Sequence, residues 1–284
     1  MHDKSPEERF PVDSLAVSAV RHDPRERVTA EGIIETGAHR NNFALEFLSV
    51  LDTAVEQLRA LKSDCSLYVY GSVATGTARV GFSDVDLLSV DLDTQSACTL
   101  GEKLSTQFRD VCRSVEIGAG QPSGYVGTDD ESYGNRVFLR HYCVHLTGPD
   151  IRANLPDFRA DAPAARGFNG DIGIHAKKWR AELSQTEDLA PLGRRIARKT
   201  LLAVSGLVSI HDHIWTTDRV AAAQRWREVV PEFADELNTL LIWSNTLSPQ
   251  LSDAEIRTML DGVVAKVVDD FTHQIGLWNH SDVR

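Results

Sequence analysis

Residues 67–90, LYVYGSVATGTARVGFSDVDLLSV, constrain this chain more than any other stretch. An apolar run ends in Gly71-Ser72, a loop of small residues follows, and a second apolar run carries Asp84 and Asp86. Apolar runs of this length read as strands. Residues two apart on a strand face the same side, so the two carboxylates point together. Like charges held that close repel, and burying them without a partner is costly. A divalent cation removes that cost. The Gly-Ser turn offers backbone N–H groups and a hydroxyl suited to a phosphate. Together these features imply metal and nucleotide chemistry.

The flanks suggest a helix-backed sheet. Phe47, Leu51, Ala54, Val55, Leu58 and Leu61 recur at helical spacing before the first strand. After the second strand, Leu100, Leu104 and Phe108 give residues 98–112 a helical face. Residues 114–117 read as a third strand, 121–136 as a loop, and 137–146 as a fourth strand stopped by Gly148-Pro149. Pro156, Pro163 and Gly167 mark a linker. Residues 171–184, 191–210, 218–228, 231–244 and 252–275 read as helices, with Pro231 and Ser252 at expected helix starts. The expected fold is α+β: a mixed-sheet domain over residues 41–155, then an all-helical C-terminal domain over residues 165–284. Residues 1–40 read as a polar N-terminal extension.

Composition narrows the partners. The net charge of −11 argues against a long nucleic acid, which calls for a basic stripe. Cys65, Cys98, Cys112 and Cys143 form no paired motif and read as reduced thiols. The first residues lack an apolar signal core, and no stretch is long and apolar enough to span a bilayer. The expectation is a cytoplasmic protein with no membrane partner.

Four tempting motifs have plainer readings. Gly71 to Thr77 resembles a P-loop, but Thr77 stands where the P-loop needs its phosphate-binding lysine. His141, Cys143 and His145 alternate along the expected fourth strand, which sets the two histidines too far apart for one ion. His211 and His213 read as a polar helix end, and Asp129-Asp130-Glu131 as a solvated turn.

Gly71-Ser72, eleven further residues and then Asp84-Val85-Asp86-Leu87 resemble the signature of the nucleotidyltransferase superfamily with the DNA polymerase β-like fold. The strand end Leu146-Thr147-Gly148-Pro149 is similar to that of streptomycin- and spectinomycin-type aminoglycoside adenylyltransferases, as are the segments beginning at Arg195 and Trp215. The resemblance implies a metal-dependent enzyme that moves a nucleoside monophosphate from an NTP, ATP first among them, to a hydroxyl of a small-molecule acceptor. It assigns two Mg2+ ions to Asp84 and Asp86, with Glu116 as third carboxylate or general base. Gly71 and Ser72 would hold the triphosphate. Arg195, Arg198 and Lys199, at i, i+3 and i+4 of one expected helix, would clamp it from the second domain. Two departures leave the acceptor open: the segment between Glu116 and Gly148 is short for the group, and Thr216-Thr217-Asp218-Arg219 replaces a turn that tends to hold lysine. Two other readings are a protein-adenylylating enzyme of the toxin–antitoxin type and a catalytically silent nucleotide-binding module.

Overall fold

The computed structural model describes residues 26–246 and 248–278. A short hairpin comes first, β1 (Arg27–Val28) and β2 (Ile34–Glu35). Next come α1 (Leu45–Leu61), β3 (Ser66–Tyr70), α2 (Gly71–Thr75), β4 (Val85–Val90), α3 (Thr94–Gln107), β5 (Val115–Gly120), α4 (Asp130–Tyr142) and β6 (Val144–Thr147). The remaining helices are α5 (Ala162–Asn169), α6 (Ile172–Leu183), α7 (Leu189–His211), α8 (Arg219–Val229), α9 (Ala234–Asn245), α10 (Asp253–Met259) and α11 (Ala265–Gln274). A π-helical turn, Leu260–Val264, joins the last two.

Strands β5, β4, β3 and β6 form one mixed sheet in that order. β4 runs parallel to β5, while β3 is antiparallel to β4 and β6. Alternation along the strands divides the two faces. Leu67, Val69, Val85, Leu87 and Val115 pack with Phe47, Leu51 and Leu58 of α1 and Leu100 and Leu104 of α3. Tyr68, Val90, Tyr125, Leu139 and Cys143 form a smaller core on the opposite face, under α4. A third core joins the helices after residue 160 around Trp179, Leu192, Ile196, Val204, Trp226 and Phe271.

The expected strand over 137–146 is mostly helix. α4 continues to Tyr142, and only Val144–Thr147 is strand. Asp129 starts this helix by accepting the Ser132 N–H at 2.8 Å. The acidic turn at 129–131 is therefore its cap and first turn. α4 is buried on two sides. Leu139 meets the sheet-side core, while Gly134 lies so close to Gly167 of α5 that neither position has room for a Cβ. A helix buried on two sides has no single apolar stripe, and its continuous Val137-Phe138-Leu139 run reads like a buried strand. His141 thus belongs to the last helical turn, where its Nε2 accepts the Phe158 N–H at 2.9 Å.

The expected linker holds α5. Asp161 caps it by accepting the Ala164 N–H at 3.1 Å. Pro163 sits in its first turn, where a missing N–H costs nothing. Ser252 starts α10 through a reciprocal capping box with Glu255. Part of the expected extension is folded: Ile34 enters the helical core, and Glu26 accepts from the Thr217 N–H at 2.6 Å and the Tyr142 hydroxyl at 3.0 Å. Residues 1–25 lie outside the described residues.

Candidate functional site

Register decides which face carries the acidic residues. Asp86 pairs with Tyr70 of β3 on one side and with Glu116 of β5 on the other. Directly paired residues project to the same face. Asp86 and Glu116 therefore stand side by side on the α4 face, beyond the apolar patch of Tyr68, Leu88 and Val90. Tyr70 closes the row, its ring 5.0 Å edge-on from Phe138 of α4. Asp84 lies just before β4, on the same side as Asp86 by the strand period.

The Gly-Ser turn is the start of α2. Tyr70 precedes it with extended backbone and makes no side-chain cap bond. Gly71 has φ +68°, a left-handed conformation that glycine adopts without strain. Its Cα also lies against Asp86: a Cβ at this position would collide with Oδ2 and sit 3.3 Å from Cγ. Glycine is therefore required twice, for its dihedral and for the approach of backbone to carboxylate. Gly76, at φ 74°, ends the turn of helix. The Ser72 carbonyl gathers the returning loop by accepting the N–H groups of Thr77 at 2.8 Å and Ala78 at 3.1 Å.

The three carboxylates sit in different environments. Asp86 is half-buried and its pKa rises to about 6, first through desolvation and then through repulsion from Glu116 and Asp84. Burial pushes Asp84 upward too, but its hydrogen bonds to Arg113 and Ser114 outweigh that and hold it below the usual carboxylate value. Arg113 Nε donates to Asp84 Oδ1 at 2.9 Å, and Nη2 donates to Oδ2. The Ser114 hydroxyl donates to Oδ1 at 2.6 Å. Glu116 is exposed. Burial, and secondarily Asp86, pushes the Tyr70 phenol to about 12, so it stays protonated.

Carboxylate oxygens suit a hard divalent cation, and a desolvated Asp86 beside a second carboxylate has the charge to attract one. Asp86 and Glu116 fit that role. Among the described residues, no group of three or more potential ligands is arranged around one ion position. Asp84 is turned to Arg113 instead.

The three basic residues expected as a clamp point to three partners. Arg195 pairs with Glu182 on α6, Arg198 donates to the Ser244 carbonyl on α9 at 3.3 Å, and Lys199 pairs with Asp171 at 2.6 Å. Lys199 also donates to the Phe168 carbonyl at 3.3 Å. Phe168 in turn meets Phe138, which meets Tyr70. Of the three, Lys199 is thus linked by aromatic contacts to the acidic row. Arg113 and Ser114 were not marked in the sequence. Parallel pairing sets Ser114 opposite Asp84, just as Glu116 sits opposite Asp86, so their position relative to Glu116 was the available signal.

Residues 51–91 match the family model of the nucleotidyltransferase domain. The match spans β3, the Gly-Ser turn and β4 with both aspartates, and it ends before Glu116. No curated protein matches the sequence. Among solved structures, the chain is similar to spectinomycin adenyltransferase AAD(9) from Enterococcus faecialis with ATP and spectinomycin. That alignment has 12% identity and a TM-score of 0.48, and covers 79% of this chain and 99% of the other.

Proposed function

We propose that this protein is a metal-dependent nucleotidyltransferase that moves a nucleoside monophosphate from an NTP, with ATP the first candidate, to a hydroxyl of a small molecule. One observation carries the reading. Within a segment that matches the nucleotidyltransferase domain, the Gly71 backbone abuts Asp86, and Asp86 stands in register with Glu116. Phosphate-binding turn and acidic pair are thereby joined at one point.

In this mechanism Asp84 and Asp86 would hold magnesium. Bound there, the ions would neutralise the triphosphate and lower the pKa of the acceptor hydroxyl. Ser72 and the first N–H groups of α2 position the phosphates. Glu116, exposed at the edge of the row, would complete the metal site or take the acceptor proton as general base. The acceptor oxygen then bonds to the α-phosphorus as the α–β bridging bond breaks and pyrophosphate leaves. The protein contributes mainly positioning and electrostatics. It is expected to act as a cytoplasmic enzyme. Among the described residues, no helix is long and apolar enough to cross a membrane.

The test is pyrophosphate release from each of the four NTPs, with magnesium and a panel of hydroxyl-bearing small molecules. Mass spectrometry then identifies the product. Nucleotide transfer to an acceptor that Asp86→Asn abolishes supports the reading. Labelling of a protein in place of a small molecule would favour the protein-modifying alternative. Failure to bind any magnesium nucleotide would end both.

A further inference from the structure

We propose that Arg113 is a positioning residue that holds Asp84 as a built-in counter-ion while the site is metal-free, and passes to the nucleotide phosphates when a divalent cation takes Asp84. The inference rests on the nucleotidyltransferase reading of the site.

The geometry supports each half. The Arg113 fork engages both Asp84 oxygens, and Ser114 occupies a further lone pair on Oδ1. A cation approaching Asp84 therefore meets a guanidinium already in place. Asp86, one strand period away, has no ion pair with any described basic residue, and Glu116 has none either. The site thus holds three carboxylates against one bound arginine. Its first cation is drawn to Asp86 and Glu116, and complete loading needs Asp84 freed.

Arg113 is built to move. Its backbone is pinned where β5 begins, the N–H donating to the Ser83 carbonyl at 3.0 Å. Its side chain is 69% exposed, while that of Asp84 is 16% exposed. The arginine can therefore swing while the aspartate stays. A released guanidinium needs a new planar, doubly accepting anion, and a phosphate presents the same two-oxygen edge as a carboxylate. Cation binding and nucleotide binding would thereby be coupled through one side chain.

The test reads binding and side-chain exchange, not turnover. Calorimetry measures manganese chloride binding to the metal-free wild type and to Arg113→Gln. The variant should bind manganese about tenfold tighter, the weight of one charge-assisted bond partly screened by solvent. It should bind the magnesium complex of a non-hydrolysable ATP analogue about tenfold more weakly, for the same reason. In 15N-labelled protein, the Arg113 Nε–H, assigned by its absence in Arg113→Lys, should be protected from exchange without metal. Added magnesium chloride should remove that protection. Thermal melts establish that both variants fold.

Unchanged manganese affinity in Arg113→Gln overturns the counter-ion role, as does an Nε–H signal that magnesium leaves untouched. The second readout matters because removing a positive charge tightens cation binding even without a direct bond. Unchanged analogue affinity overturns the transfer to phosphate. If the wild type binds no magnesium nucleotide at all, the nucleotidyltransferase reading fails first and takes the proposal with it.

Discussion

Asp86→Asn should stabilise the metal-free protein and abolish nucleotidyl transfer. Desolvation and two neighbouring carboxylates move Asp86 from the ordinary value of 3.8 to about 6. That gap corresponds to ~3 kcal/mol of preference for the protonated form in the folded state. Asp86 retains some solvent contact, so screening reduces this to about 1–2 kcal/mol. The sign follows from where the proton binds more tightly. Below about pH 4 Asp86 is protonated in the folded and unfolded chains alike, and the variant gains nothing. As pH rises through the window up to about 6, the unfolded chain ionises first and the folded wild type loses stability. The variant has no such loss, so its advantage opens across that window and is complete by about pH 7. Urea unfolding in EDTA, at several values between pH 4 and pH 8, measures it. Magnesium should reverse the ranking, because it stabilises only the protein that binds it. A variant no more stable than wild type at pH 8 without metal would refute the argument that Asp86 is held against desolvation and repulsion.

Gly71→Ala combines a left-handed φ with a collision against Asp86 Oδ2. It should cost about 1–3 kcal/mol in denaturant unfolding and weaken magnesium binding in calorimetry, whereas Gly81→Ala, where φ is also positive but the space is open, should cost less and leave magnesium binding intact. Ser72→Ala should weaken NTP binding by about 1–3 kcal/mol, as the loss of a hydrogen bond to a charged phosphate does. Unchanged affinity would make the Gly-Ser turn purely structural. His141 behaves oppositely to Asp86: burial pushes it from 6.5 to about 4, so its contribution is present above pH 6.5 and lost as pH falls through about 4. That loss should amount to about 2 kcal/mol after screening, visible as a fall in wild-type urea stability between pH 6.5 and pH 4 that is smaller in His141→Gln.

Much of the sheet was legible because its strands follow one simple period. Residues 67–70 and 85–90 are short, mostly apolar runs that send Leu67, Val69, Val85 and Leu87 to one face and Tyr68 and Val90 to the other, and each is bounded by a glycine or an aspartate. α4 and α5 were not legible, for a shared reason. They press against each other through Gly134 and Gly167, so a contact that carries much of the packing leaves no apolar residue in the sequence to mark it. Pro163 misled in the same way, because a first-turn proline and a linker proline look alike until the cap at Asp161 is seen.

The candidate site shows a different limit. Spacing places Asp84 and Asp86 on one side of a strand, and that much was legible. It does not say what stands opposite them. The parallel partner strand puts Ser114 and Glu116 across from the two aspartates, and so gives them unequal neighbours. Asp84 receives an arginine and a hydroxyl and stays ionised, whereas Asp86 receives another carboxylate and resists ionisation. Two residues of one motif therefore acquire opposite electrostatic states from a strand thirty residues downstream. The basic helix meets the same limit. Helical spacing put Arg195, Arg198 and Lys199 near one another, but Arg195 reaches Glu182 near the end of α6, Arg198 the Ser244 carbonyl on α9, and Lys199 Asp171 just before α6. Proximity along a helix brings charges together only when no stronger partner lies within reach. Glu182 and Asp171 are such partners, as Arg113 is for Asp84. Under the proposed function, a triphosphate entering this site would compete with a carboxylate already paired, and its affinity would depend on how readily Arg113 exchanges Asp84 for phosphate.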